Sequence, residues 1–222
     1  EESVAQCGTR PLHRLEALGQ LRPRQLGVHM TQLEDTEIEQ YASRGAHVVH
    51  CAESNLKLAS GFCAVEKLAR AGINVALGTD SAASNNDLDM LAEMRSAALL
   101  AKAVAADASA VPAAAVLRMA TINAARALGL DEQIGSIEPG KAADLVAVDL
   151  GGVETQPVYN PVSQLVYAAA RDKVSDVWVA GRHLLKDKEL TTLDTDELLE
   201  KTKDWGGKIA AWHNARGNQG YE

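Results

Sequence analysis

Three residues of the kinds that bind metals or move protons stand at the ends of short apolar stretches. They are His29 after residues 26–28, His50 at the end of residues 47–50, and Asp80 shortly after residues 73–77. Short apolar runs followed by helix-like stretches predict buried parallel strands. Parallel strands end at one edge of a sheet, where α/β enzymes place their chemistry. We therefore expect His29 and Asp80 to converge on a shared cavity.

The elements that position these residues alternate between strand and helix through the first 130 residues. Helices are predicted over residues 34–44, 62–71, 87–105 and 113–128. Residues 1–21 are predicted as a helix-like stretch, and residues 51–60 as a loop. This alternation implies an α/β fold with a parallel sheet and right-handed crossovers.

The composition changes near residue 134, where a turn-rich segment begins. Beyond it the sequence predicts strands over residues 143–149 and 174–180, a hairpin partner over 183–185, helices over 162–170 and 195–215, and a frayed tail over 217–222. Three regions follow from this pattern. They are residues 1–133 with the βα units, residues 134–192 with the strands of a small β-domain, and residues 193–222 with a terminal helix and tail.

The overall composition excludes several classes of protein. With 222 residues, 46% of them hydrophobic, the chain can bury a substantial core. A formal net charge of −8 argues against nucleic acid or an anionic membrane as partner. Cys7, Cys51 and Cys63 form neither a disulfide framework nor a structural zinc motif. The sequence has no apolar run near 18 residues and no signal-peptide pattern, so we expect a soluble cytoplasmic protein.

Three segments resemble those of amidohydrolase-superfamily deaminases. Residues 50–58 (HCAESNLKL) resemble the family's HNPxSNLKL, residues 78–86 (GTDSAASNN) its GTDGAASNN, and residues 135–146 (GSIEPGKAADLV) its GxIxxGKxADLV. They are most similar to the 5-methylthioadenosine/S-adenosylhomocysteine deaminase branch, the TRZ/ATZ group. Ala52 replaces the usual proline, and Ser81 replaces a glycine. The change at Ser81 raises the question of whether the loop needs a glycine conformation there.

The resemblance implies a metal-dependent TIM (β/α)8 barrel with one divalent metal, usually zinc, at its carboxyl face. It implies that Asp80 is the metal-binding aspartate of the eighth strand and that His29 is the sixth-strand histidine beside the hydroxide or the substrate. Ser84 corresponds to a serine that contacts the substrate. His50 corresponds to the seventh-strand histidine, which we expect to lie behind the residues that touch the metal.

The chemistry of deamination explains these residue types. Attack on the amidine-like carbon of a purine needs hydroxide at neutral pH, and a metal supplies it by lowering the pKa of bound water to about 7. Asp80 would take the proton and contact the substrate, while His29 would hold the hydroxide in line and stabilise the oxygen.

Each of these residues also has a purely structural interpretation. Asp80 alone could be a helix cap, His29 a hydrogen-bonded structural histidine, and Ser84 a capping serine. His47 and His50 look like a pair of ligands, but positions three apart on a strand face opposite sides. We therefore expect no joint ligation by those two histidines.

The sequence contains no HxH motif, and no strand histidine followed three residues later by glutamate occurs before His29. In the family these elements supply three metal ligands and a proton-shuttling glutamate. Three βα units are also too few for a barrel, which takes about 250 residues. Our hypothesis is that the chain is the C-terminal part of a longer polypeptide, and we expect the full-length protein to be a homo-oligomer.

Deamination of an adenine-type nucleoside, 5-methylthioadenosine or S-adenosylhomocysteine, is the function that the sequence favours. A guanine- or triazine-type aminohydrolase or chlorohydrolase on the same scaffold is an alternative. A non-catalytic scaffold module remains open if the chain is complete. No G-x-S-x-G and no G-x-x-x-x-G-K-[ST] motif occurs, which disfavours a serine hydrolase and a P-loop NTPase.

Overall fold

The computed structural model describes residues 2–215 and contains two sheets. The first is a parallel sheet in the order β1 (Leu26–Val28), β2 (His47–His50), β3 (Asn74–Leu77). Its register pairs Val28 with Val49 and His50 with Leu77, so the three strands end at the same edge. The expected α/β class and the parallel order are confirmed.

Ten helices surround and follow this sheet within residues 2–215. They are α1 (Glu2–Cys7), α2 (Pro11–Ala17), α3 (Asp35–Ser43), α4 (Ala52–Lys57), α5 (Val65–Arg70), α6 (Met90–Ala105), α7 (Ala113–Ala120), α8 (Ile122–Leu128), α9 (Pro161–Tyr167) and α10 (Thr195–Ala215). α7 and α8 pack against β3, and α6 packs against α4, α5, α7 and α9. The buried core lies between the sheet and these helices, with Tyr41, Val48, Leu68 and Val116 at its centre.

Two predicted helices are interrupted. The stretch 1–21 contains α1 and α2, separated at Gly8, whose φ of +70° leaves the helical region. The stretch 113–128 is divided at Thr121, whose backbone (φ −127°, ψ −100°) is not helical and whose hydroxyl donates to the Leu117 carbonyl at 2.7 Å. The prediction of one continuous helix was wrong at each place. The non-helical backbone at Gly8 and Thr121 does not interrupt the spacing of apolar residues from which the helices were predicted.

The prediction of a loop over residues 51–60 was also wrong, because α4 lies there. Its first backbone N–H groups donate to the carboxylate of Glu93 on α6, which replaces the missing intrahelical partners. The capping residue, Glu93, is distant in sequence from α4, so no local sequence pattern predicts this helix.

The second sheet is antiparallel, in the order β4 (Leu145–Val148), β5 (Val174–Val179), β6 (Arg182–Lys186), β7 (Glu189–Leu190). The predicted strands and hairpin are confirmed, while the two-residue β7 was not predicted. His183 stacks on Trp178 and bonds to Asp176 at 2.8 Å, which joins β5 to β6. Within the described range, no helix is long and apolar enough to cross a bilayer.

α10 has the predicted bounds, and the tail 217–222 lies outside the described residues. The three-region division of the chain stays a prediction.

Candidate functional site

His29 and Asp80 follow β1 and β3 at the carboxyl edge of the parallel sheet. Both have left-handed backbones, with φ of +69° and +63°, so the chain turns sharply as each strand ends. Left-handed conformations are costly for residues other than glycine and are concentrated at functional sites. His29 Nε2 lies 3.7 Å from Asp80 Oδ2, and the two side chains are 39% and 31% exposed. The sheet therefore brings both groups to one solvent-accessible position.

Two serine hydroxyls donate to one oxygen of Asp80. Ser54 on α4 and Ser84 in the following loop bond to Oδ2 at 2.7 and 2.8 Å. These two bonds are the main reason that the pKa of Asp80 lies below its usual value, with smaller contributions from the Ser81 backbone and from His29. Asp80 is therefore a carboxylate at neutral pH.

The loop after Asp80 needs no glycine conformation at Ser81. The residue with positive φ is Asp80 itself, and Ser81 is not among the positive-φ residues of the described chain. Its carbonyl accepts the N–H groups of Ser84 and Asn85 at 3.1 and 2.8 Å. The serine at position 81 therefore has no left-handed backbone strain in this loop.

Helix α4 contributes two residues that the sequence reasoning missed. Ser54 binds Asp80, and Asn55 Oδ1 lies 2.9 Å from His29 Nδ1. Both are buried. Their position inside the segment 50–58, directly after a strand that ends in histidine, was the signal that could have identified them.

His50 lies beside this site and is enclosed. Burial, and then the nearby His29, lower its pKa to about 4, so its imidazole is neutral at physiological pH. Its Nδ1 has no hydrogen-bond partner within residues 2–215. His47 instead bonds to Asn74 at 3.0 Å. The two histidines thus have separate surroundings, as the strand geometry predicts.

Glu93 joins α4, α6 and the loop after Asp80. Its carboxylate accepts the N–H groups of Ala52 and Glu53, and the Asn85 amide at 3.2 Å. The usual proline at position 52 would have no N–H to donate. Burial raises the pKa of Glu93 to about 7, although its hydrogen bonds act in the opposite direction.

The same loop is also held from its exposed side. Lys57 at the end of α4 donates to the Ala83 carbonyl at 2.9 Å and to the side chain of Asn86. Both ends of the short helix α4 therefore hold the segment that carries Ser84.

The residues that the structure describes provide only part of a metal-binding site. Asp80 offers an ionised oxygen and His29 a ring nitrogen, which suit a zinc ion. Among residues 2–215, however, no three His, Cys, Asp or Glu side chains are grouped to hold a metal. The side chains present fit one side of such a site.

Residues 1–184 match the amidohydrolase family. The chain is 52% identical over 211 residues to a 5-methylthioadenosine/S-adenosylhomocysteine deaminase of Teredinibacter turnerae, with coverage of 95% of this chain and 48% of the relative. It is 49% identical over 210 residues to the protein of the same name from Saccharophagus degradans, with coverage of 95% and 47%. The chain thus spans about half the length of the curated relatives it matches.

Solved structures give a similar result. An adenosine deaminase from Xanthomonas campestris with bound zinc superposes with a TM-score of 0.92 at 56% identity, over 95% of this chain and 48% of that one. An atrazine chlorohydrolase from Arthrobacter aurescens in complex with zinc gives a TM-score of 0.84 at 29% identity, over 91% and 45%.

Proposed function

Because the chain belongs to the amidohydrolase family, we propose that it supplies one part of the active site of a metal-dependent deaminase. The substrate proposed is an adenine-type nucleoside, 5-methylthioadenosine or S-adenosylhomocysteine. The observation that carries this proposal is the convergence of an ionised Asp80 and His29, 3.7 Å apart, at the open edge of a parallel sheet.

The three βα units of residues 1–133 form the C-terminal part of a TIM barrel in this proposal. Residues 134–192 contribute strands to a small β-domain, and residues 193–222 the terminal helix and tail. Two observations support this arrangement. The chain covers 48% and 47% of two deaminase relatives. Within residues 2–215, the outer edges of β1 and β3 pair with no other strand. The remaining metal ligands and the proton-shuttling glutamate then come from residues outside this sequence.

The metal proposed is one zinc ion, which the donor types at Asp80 and His29 suit. When bound, zinc lowers the pKa of a coordinated water to about 7. Asp80 would be its ligand from this chain and would also take the proton of the attacking water, because Ser54 and Ser84 keep the carboxylate ionised.

His29 has the position to orient the attacking water. Its Nδ1 is occupied by Asn55, so Nε2 is the nitrogen that faces Asp80 and the open site. Ser84, through its hydroxyl, would contact the substrate and fix its position relative to Asp80. His50 would support this arrangement from behind as a neutral, buried imidazole.

The adenine-type substrate is favoured over a triazine because similarity to the deaminases is higher, 52% against 29% for the chlorohydrolase. The cytoplasmic location, the homo-oligomer, and the absence of nucleic-acid and membrane partners stay predictions.

Ultraviolet absorbance tests the substrate. The full-length protein that contains this chain is incubated with 5-methylthioadenosine, and in parallel with guanine and a chlorotriazine. We expect the adenine absorption band to be replaced by that of an inosine-like product, at a higher kcat/KM than for the other two compounds. Loss of the adenine band without an inosine-like product, or faster turnover of guanine or the triazine, would reject the proposal.

A further inference from the structure

Asn55 and His29 form a hydrogen-bonded pair behind the open site, with 2.9 Å between Oδ1 and Nδ1. We propose that Asn55 is a positioning residue that holds the His29 ring in the tautomer with its proton on Nδ1 and the lone pair of Nε2 facing the site. This deepens the proposed function, since His29 is one of its site residues.

The distance on the other side of the ring supports this tautomer. A proton on Nε2 would point toward Asp80, and N–H donors normally lie 2.7–3.2 Å from a carboxylate oxygen. The Nε2–Oδ2 distance is 3.7 Å, outside that range. Nε2 therefore makes no direct hydrogen bond to Asp80, whereas Oδ1 of Asn55 lies within hydrogen-bond distance of Nδ1 and would accept the proton there in the proposed tautomer.

The surroundings of Asn55 keep this pair in place. The Asn55 side chain is buried, with 1% of the residue exposed, so bulk water does not compete for its Oδ1. The amide sits on α4, whose first N–H groups are bound by the carboxylate of Glu93. Rotation of the amide would place its NH2 group against Nδ1 and move the ring proton to Nε2.

A second asparagine–histidine pair in the same sheet has the opposite arrangement. Nδ2 of Asn74 donates to the Asn123 carbonyl at 2.9 Å, and the same nitrogen lies 3.0 Å from His47 Nδ1. A carbonyl only accepts, so the orientation of the Asn74 amide is determined. Nδ1 of His47 must then be the acceptor, with the ring proton on Nε2. His47 can therefore serve, in the same protein, as the reference for the tautomer opposite to that proposed for His29.

The tautomer of His29 decides whether its Nε2 accepts or donates a hydrogen bond at the site. With Nε2 unprotonated, His29 can accept a hydrogen bond from a water or hydroxyl held between it and Asp80. In the other tautomer, the same position would present a donor and would repel the O–H of that water. Asn55 decides between these two states without touching the substrate.

Nitrogen-15 NMR of the histidine rings tests the assignment directly. The full-length protein is labelled with [15N]histidine and recorded without substrate at about pH 8, above the ordinary pKa of imidazole. His29→Gln and His47→Gln variants assign the signals. We expect a protonated Nδ1 in His29 and a protonated Nε2 in His47. A protonated Nε2 in His29 would overturn the proposal, whatever the variants of Asn55 do.

An Asn55→Leu variant tests the role, with Asn74→Leu as the matched loss of an asparagine–histidine pair away from the site. In Asn55→Leu we expect the His29 ring to populate both tautomers and kcat to fall about 10–100-fold, with KM changed less. In Asn74→Leu we expect the His29 signals to be unchanged. An unchanged His29 tautomer in a folded Asn55→Leu variant would contradict the role.

These readouts separate the two proposals. The predicted tautomers in a protein without deaminase activity would reject the proposed function and support the role of Asn55. Deaminase activity with His29 protonated on Nε2 would do the reverse.

Discussion

Ser54 donates a hydrogen bond of 2.7 Å to Oδ2 of Asp80, although the two residues belong to different βα units. Ser54 is buried on α4, and Asp80 is partly exposed beyond β3. The contact fixes the carboxylate from below while leaving it accessible to the open site. It also links the position of Asp80 to that of α4, the helix that orients His29 through Asn55.

Substitution of Ser54 and of Ser84 should distinguish two roles, support of the Asp80 carboxylate and contact with the substrate. In the full-length protein, Ser54→Ala should weaken zinc affinity about 10–100-fold through loss of support for a ligand, with little change in KM. Ser84→Ala removes the same kind of bond and, if Ser84 also contacts substrate, should in addition raise KM. Zinc titration and steady-state kinetics measure both effects.

Ser60→Ala is the control for this pair, because Ser60 is an exposed serine three residues after the end of α4. Its zinc affinity and KM should match those of the unchanged protein. Equal zinc affinity in Ser54→Ala and Ser60→Ala would contradict the role given to Ser54.

Glu93 should make stability decrease as the pH rises. Its pKa is raised from 4.5 to about 7, chiefly by burial. Between these values the folded chain retains a proton that the unfolded chain releases, so the free energy of unfolding falls with increasing pH and levels off above about pH 7. One proton gives a slope of at most about 1.4 kcal/mol per pH unit.

Urea unfolding at pH 5, 6, 7 and 8 measures this dependence. Glu93→Gln, which is neutral at every pH, should lose this contribution and show a flatter profile between pH 5 and 7. Glu132→Gln removes an exposed carboxylate and should retain the profile of the unchanged chain. The same slope in Glu93→Gln as in the unchanged chain would show that Glu93 does not carry it.

The buried Glu37 should act in the opposite direction. Arg10 donates to both its oxygens, at 2.9 and 2.7 Å, and these bonds are the main reason that the pKa of Glu37 is lowered. The contribution of such a group is present above the unfolded pKa, near 4.5, and is lost as the pH falls further through the folded value.

Arg10→Met leaves the Glu37 carboxylate buried without its cation and should lower the free energy of unfolding at pH 7. Acid unfolding should also begin at a higher pH. Arg22→Met, at an exposed arginine without a carboxylate bond in the described structure, should change neither quantity by more than about 0.5 kcal/mol. A loss in Arg10→Met no larger than in Arg22→Met would contradict the prediction.

The sequence was sufficient to predict the three parallel strands and the meeting of His29 with Asp80. β2 has its predicted bounds, because its apolar residues and the flanking Gly45 and Cys51 mark a short buried run. Parallel strands must end at a common edge, so two polar residues that follow such strands are brought together by topology alone.

The supporting residues could not be predicted in this way. α4 has six residues, too few for a clear helical period, and its capping carboxylate lies 41 positions away from Ala52. Ser54 and Asn55 acquire their partners only when α4 is placed against both strand ends. The tertiary arrangement, and not local propensity, decides these contacts.

Zinc content of the full-length protein, compared between the unchanged sequence and Asp80→Asn, tests the central claim most directly. Asp87→Asn is the control, since Asp87 is an exposed acid of the same loop. We predict one zinc per chain in the unchanged protein and in Asp87→Asn, and loss of zinc and of deaminase activity in a folded Asp80→Asn. A folded Asp80→Asn protein that retains its zinc with undiminished affinity would contradict the account.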